Sequence, residues 1–316
     1  MLPYRVCYWD ISGVCNAACR YCPSGSRSII GNLHKSQAGF LSPEDFDDGL
    51  AFMIDRGIIT PGITKIDLYS WGEPFLHPQF ETMLKIISSK GIGFGLSTNA
   101  STLKEIPIEA MPMLKDIIFS MPGFSQESYD KMHGFSFNMI CENIRSIVSS
   151  IRTAKLREDT GFAIIYHMYK FNRHEIDSAR AFASEMRIGF TPIVANLTGF
   201  AMPMNHKLYE DLVVDNCHVE AWERIKMAQA SLGEKSAWHC PQYDSLALDE
   251  YSNIVQCCAT ERFVSGYIIG KLKEVDFSGL RELKRAAPIC ILCKEHGIGW
   301  LAHNVNHIEL INRGYA

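Results

Sequence analysis

Residues 4–22 read YRVCYWDISGVCNAACRYC, and the fold follows from this stretch. Tyr4 to Ile11 is dense in aromatic and β-branched side chains and runs into Ser12-Gly13, the pattern of a strand closed by a turn. Cys15, Cys19 and Cys22 sit in the loop that follows. Downstream, Ser42-Pro43-Glu44-Asp45 supplies a cap, a proline at the first helical position and an acidic first turn, which predicts a helix to about Gly57. Further strands are predicted at 65–69, 93–97, 117–120, 162–167 and 190–195, with helices over 78–90, 138–157 and 173–187. Six strands alternating with helices predict an α/β fold with a parallel sheet and right-handed crossovers. The loops after such strands emerge at one end, where sites are built.

After about residue 200 the rhythm changes to a helix near 206–232, then a strand pair near 244–258 turning at Glu250-Tyr251-Ser252-Asn253. Five of the eleven cysteines lie from Cys240 onward, which predicts a small appended module over 201–316, organised by ligands rather than by a core, after a first domain over 1–200. The 316 residues are 47% hydrophobic, enough for a sizeable core, and the net charge of -4 with singly scattered Lys and Arg argues against nucleic acid. No apolar run approaches a membrane span and the N-terminus lacks a signal-peptide pattern, so a cytoplasmic protein without membrane contact is expected. A reducing cytosol would not keep so many cysteines as disulfides, which leaves metal ligation as the leading explanation.

Cys15, Cys19 and Cys22 give three thiolates within eight residues. Three ligands on a four-iron cube leave one iron open, whereas electron-transfer clusters usually have four cysteines. A zinc site or three unrelated buried thiols are the bland alternatives, although zinc knuckles prefer a second cysteine pair close by. Trp71-Gly72-Glu73-Pro74 follows the second predicted strand, and as punctuation it is also an ordinary turn. Ser97-Thr98-Asn99 closes the third strand, where Asn99 or Ser101 could equally cap a helix, and Ser120 closes the fourth.

The CxxxCxxC spacing after a first strand, with Tyr21 before the last cysteine, resembles the radical S-adenosylmethionine (SAM) superfamily. The resemblance implies a partial (β/α)6 barrel and a [4Fe-4S] cluster on Cys15, Cys19 and Cys22. It also implies reductive cleavage of SAM to a 5′-deoxyadenosyl radical, fed by an external electron donor of flavodoxin or ferredoxin type. Gly72-Glu73-Pro74 resembles the family motif that meets the SAM amino group. By the same resemblance Ser97, Asn99 and Ser120 are SAM contacts, and Tyr21 belongs to the cofactor site.

The second cysteine set is Cys240, Cys257, Cys290 and Cys293, enough to ligate a second cluster or a structural zinc. The surrounding text, CPQYDSLALDEYSNIVQCC, IIGKL and CILC, resembles the SPASM and Twitch auxiliary-cluster modules, and the short one-cluster Twitch form fits five cysteines. Cys257 and Cys258 on one strand would face opposite ways. The resemblance matches Cys257 to a ligand, and leaves Cys258 either an inert buried thiol or a hydrogen-atom donor of the kind relatives use in epimerisation. Cys7, Cys141 and Cys217 default to buried thiols, and His167 ends a predicted strand where it lines a cavity or is satisfied in the core.

The layout is similar to aminocyclitol dehydrogenases and aminoglycoside epimerases, which implies a small polar metabolite as substrate. A peptide-modifying enzyme is the alternative. Enzymes of that kind often carry a recognition domain ahead of the barrel, and fourteen residues precede Cys15.

Overall fold

The computed structural model describes residues 2–19, 22, 24–25, 38–154, 160–194, 238–260, 266–295 and 299. Tyr21, Cys217, the expected helix over 206–232 and the expected domain boundary near residue 200 lie outside them.

Six strands run parallel in chain order: β1 (Val6–Trp9), β2 (Lys65–Asp67), β3 (Gly93–Thr98), β4 (Leu114–Met121), β5 (Gly161–Met168) and β6 (Gly189–Val194). Helices α1 (Pro43–Asp55), α2 (Phe80–Ser89), α4 (Phe137–Thr153) and α5 (Ile176–Glu185) connect them, with a short α3 (Gln126–Lys131) ahead of α4. This is the expected (β/α)6 arrangement. Ser42 caps α1 as predicted, its Oγ accepting from Asp45 N at 3.0 Å. The helix expected over 173–187 starts later, at Ile176, because Lys170–Glu175 forms a 3-10 turn first.

Strand alternation sorts side chains to two faces. Ile66, Phe94, Leu96, Ile117, Phe119, Ile164 and Tyr166 are buried in the main core against the helices. Gly49 lets α1 approach closely, since a Cβ there would stand 2.5 Å from the Trp9 ring. The alternate residues Lys65, Asp67, Gly95, Ser97, Asp116, Ser120 and His167 share the other face with Ile118, Ala163 and Ile165, so that face is mixed, with charged and polar groups among apolar ones.

The C-terminal segment departs from expectation. Strand β7 (Ser245–Leu248) lies parallel to β1, and β8 (Asn253–Val255) and β9 (Ile268–Lys271) continue antiparallel, so the sheet order is β6-β5-β4-β3-β2-β1-β7-β8-β9. Leu246, Leu248, Ile254, Leu272, Phe277 and Leu280 belong to the main core. These strands therefore rest on apolar packing, and not on ligands alone. Two short helices follow, α6 (Leu280–Ala286) and α7 (Pro288–Glu295). Among the described residues, no helix is long and apolar enough to cross a membrane.

Candidate active site

The loops leaving the C-terminal ends of β1, β2 and β3 are laced together by buried polar contacts. Asp10, next after β1, accepts from Ser70 N at 2.6 Å and from Trp71 N at 3.0 Å. Glu73, only 3% exposed, has its N–H on Val14 O at 2.9 Å. Its Oε2 accepts from Asn99 N at 2.7 Å and its Oε1 from Phe75 N at 3.1 Å. Burial, offset in part by these donors, raises the Glu73 carboxyl to about 7. Pro74 opens a 3-10 turn capped by Glu73, so the turn reading of this motif is also true.

Gly72 is required by close approach: a Cβ there would lie 1.7 Å from Ser12 O. Asn99 Nδ2 donates to Asn16 Oδ1 at 3.0 Å and stands 4.0 Å from Cys15 Sγ, while its Oδ1 accepts from Ser101 N at 2.9 Å. The side chain thus caps a turn and also braces the cysteine loop. The next residue, Ala100, is held at φ 56°, with its N–H on Thr98 Oγ1 and its carbonyl accepting from Asn143.

These elements enclose a cavity of about 220 Å³ lined by Cys15, Cys19 and Cys22 together with Gly72, Glu73, Ser97, Asn99 and Ser120. Of the described sequence-predicted residues of the first site, all but Pro74 line it; Pro74 is buried in the 3-10 turn behind Glu73. Burial pushes the Cys15 thiol up to about 12, so ionisation there calls for a bound cation, which is what iron supplies.

Sequence reasoning missed two residues of this region. Asp10 is a buried carboxylate at a strand end, a signal available in the aromatic run but not used. His133 lines the cavity at 3% exposure, its carbonyl accepting from Ala18 N at 2.9 Å, and its Nδ1 has no hydrogen-bond partner. It follows α3, in a stretch where no pattern pointed to a site. Burial, with His167 nearby, lowers its imidazole to about 3. His167 itself hydrogen-bonds Ser120 through Nε2 at 3.2 Å and is lowered to about 4 by burial, which keeps it neutral.

The second cysteine set also converges. Cys257 and Cys293 are buried with Tyr267, Ala287 and Ile289, and Cys290 packs against them. Cys290 and Cys293 share one face of α7, three residues apart. Cys240 precedes a 3-10 turn over Pro241–Asp244, near enough that a thiolate there or at Cys257 would raise the thiols of both Cys290 and Cys293.

Cys257 and Cys258 do not lie on a strand as expected, because β8 ends at Val255 and they occupy the turn beyond it. They are still segregated. Cys258 Sγ donates to Gln242 Oε1 at 3.5 Å and lies within hydrogen-bonding reach of the Tyr8 hydroxyl, and it is not among the described residues lining the cavity. Burial raises its thiol well above the ordinary value. The same turn docks on the β2 loop: Ser70 Oγ donates to Cys258 O at 2.9 Å, and Trp71 Nε1 donates to Thr260 O at 2.9 Å.

Among the described residues, no group of three or more His, Cys, Asp or Glu closes around a single ion. A tetrahedral zinc draws its thiolates to within ~4 Å of one another, whereas a cube gives each thiolate its own iron.

A family profile described as the radical SAM superfamily matches residues 9–183, more than half of the chain. The chain belongs to the radical SAM superfamily. It is therefore an iron-sulfur enzyme that works with a [4Fe-4S] cluster and SAM.

No curated protein matches the sequence. Among solved structures, Streptococcus suis SuiB bound to SAM is 13% identical with a TM-score of 0.58, covering 93% of this chain and 68% of SuiB. SuiB bound to its precursor peptide SuiA gives 13% identity and a TM-score of 0.59, over 98% of this chain and 73% of that one. BtrN in complex with AdoMet and 2-DOIA gives 13% identity and a TM-score of 0.48, over 98% and 95%. At these identities the SuiB likeness is one of fold, and the BtrN score carries no argument about substrate.

Proposed function

We propose that this radical SAM enzyme oxidises a small polar metabolite, of the sugar or aminocyclitol class. In this reading Cys15, Cys19 and Cys22 hold the SAM-binding cluster, and Cys240, Cys257, Cys290 and Cys293 hold an auxiliary [4Fe-4S] cluster. When bound, the first cluster and SAM would supply a 5′-deoxyadenosyl radical able to take a hydrogen atom from substrate, and the auxiliary cluster would supply an acceptor for the second electron while the substrate's hydroxyl or amino proton is released to solvent. A flavodoxin- or ferredoxin-type protein is the external donor. Glu73, anchored on Val14 and Asn99, presents a carboxyl for the SAM amino group, and Ser97, Asn99 and Ser120 offer polar contacts beside it. Tyr21, next to Cys22 in sequence, completes the cofactor site.

One observation carries the choice of oxidation: the Cys257–Thr260 turn is hydrogen-bonded to Ser70 and Trp71 on the loop that precedes Gly72. An auxiliary cluster on that turn stands beside the chemistry. Cys258, by contrast, is engaged with Gln242 and Tyr8 and is not among the described residues lining the cavity, which argues against it as a hydrogen-atom donor. The mixed sheet face below the cavity, with Lys65 bridging Asp67 at 2.8 Å and Asp116 at 2.5 Å, suits a substrate rich in hydroxyl or amino groups.

The test is anaerobic turnover with SAM and dithionite in deuterated water, on a panel of aminocyclitols and amino sugars, by the reconstituted enzyme and by Cys258→Ala. A product two mass units lighter than substrate, formed equally well by the variant, is expected. Deuterium at one carbon with unchanged oxidation state, lost in the variant, would establish epimerisation instead. Turnover confined to peptides added in parallel would move the enzyme to the peptide-modifying class.

A further inference from the structure

Lys284 is 1% exposed, inside α6 and one turn ahead of the helix that carries Cys290 and Cys293. Its Nζ donates to Gln242 O at 2.5 Å and to Ser245 O at 2.7 Å, two neutral carbonyls. An ammonium taken out of water needs a compensating negative charge as well as hydrogen bonds. Among the described residues no carboxylate forms an ion pair with it, and the charges that would most favour its protonated form are those of Cys257, Cys290, Cys258 and Cys240. Three of these four belong to the proposed auxiliary site. Gln242, whose carbonyl holds the ammonium, lies two residues beyond Cys240 and accepts from Cys258 Sγ through its side chain, and α6 leads directly into α7 with Cys290 and Cys293. The pinned cation therefore stands beside the proposed ligand segments, where cluster-bound thiolates would supply its counter-charge.

We propose that Lys284 sets the reduction potential of the auxiliary cluster, keeping it high enough to take an electron from the substrate radical. The inference rests on the auxiliary-cluster reading above. A reduced four-thiolate cluster carries one more negative charge than the oxidised one, so a fixed cation nearby stabilises the reduced form more. Low-dielectric surroundings strengthen the effect. Here Cys257, Tyr267, Ala287, Ile289 and Cys293 form the apolar cluster around the site. The two carbonyls pin the ammonium, so its charge is held in place. Lys284 is a positioning residue for electrons, touching neither SAM nor substrate in this reading.

The experiment is an EPR-monitored redox titration of the full chain, reconstituted with both clusters, alongside Lys284→Gln and Lys284→Arg. Gln can still donate to a carbonyl but lacks the charge, and Arg retains it. In Lys284→Gln the auxiliary couple should move to a more negative potential by at least tenfold in its reduced-to-oxidised ratio, 59 mV for one electron. The SAM-binding cluster of the same molecule should hold its own value, and Lys284→Arg should stay near wild type. Loss of the auxiliary iron in Gln with retention in Arg would support the same role for the charge. An unmoved potential in fully loaded Lys284→Gln, or equal iron loss in both variants, would overturn the proposal. Wild-type protein that takes up only one cluster would instead refute the auxiliary-cluster reading itself.

Discussion

Replacing Gly72 with alanine should slow SAM cleavage by about 100-fold while leaving all the cysteines in place. The added Cβ would stand 1.7 Å from Ser12 O, 2.6 Å from Ser12 C and 3.1 Å from Gly13 C, and contacts under 3.0 Å force something to shift. The obstacles are backbone, so no side chain can swing aside. The β2 loop has to withdraw from the cysteine loop by about 1 Å or more, and displacement of that size costs roughly 100-fold in rate. Glu73 moves with it, losing the 2.9 Å contact to Val14 O and the 2.7 Å contact from Asn99 N. Overpacking should also cost about 1–3 kcal/mol of stability. The assay is 5′-deoxyadenosine formation with dithionite, read beside iron content and a thermal melt. The expected result is a rate down by about two orders of magnitude with iron retained. Gly25→Ala makes the contrast, because its Cβ would lie 1.9 Å from Cys19 O and should cost iron first. A Gly72→Ala enzyme cleaving SAM at the wild-type rate would refute the reasoning.

Two further outcomes are expected. Converting Cys15, Cys19 and Cys22 together to alanine should lower iron from about eight to about four per chain and eliminate 5′-deoxyadenosine, as measured by iron assay and chromatography. His133 makes a pH-dependent contribution: its folded value near 3 lies below the unfolded 6.5, so the unfolded chain binds more protons between them and stability is lost as pH falls through that window. The loss should reach a few kcal/mol and be smaller in His133→Gln, compared by denaturant melts at about pH 7 and 4.5. Glu73, raised to about 7, acts in the opposite sense, favouring the folded state more as pH falls from 7 toward 4.5, but it is present in both proteins and cancels in the comparison.

The barrel was legible because its elements carry their own local signals. Ser42 and Pro43 start α1 with an N-cap and a first-turn proline, and the runs that became β3, β4 and β5 are long and apolar enough to stand out. The cysteine spacing was equally local, and with it the first site. Long-range pairing was not. Ser245–Leu248 reads as a short strand, but nothing in its four residues says that it lies beside β1, since that choice is made by Trp9, Leu248 and α1 packing together in three dimensions. His133 and Lys284 escaped for a related reason. A histidine after a short helix and a lysine in a charged helix look like solvated surface until the fold buries them.

The parallel pairing of β7 with β1 joins Val6 to Ser245, so the first strand of the barrel finds its partner on that side only after all six strands of the barrel have been made. Until then a growing polypeptide displays an open strand edge next to three unliganded thiols, a combination prone to sticking and to oxidation. Biosynthesis therefore has a built-in order. Closure of the edge comes late, pairing segments far apart in sequence is slow, and the segment it adds also carries the contacts of Asp10 with Leu248, of Ser70 with Cys258 and of Trp71 with Thr260.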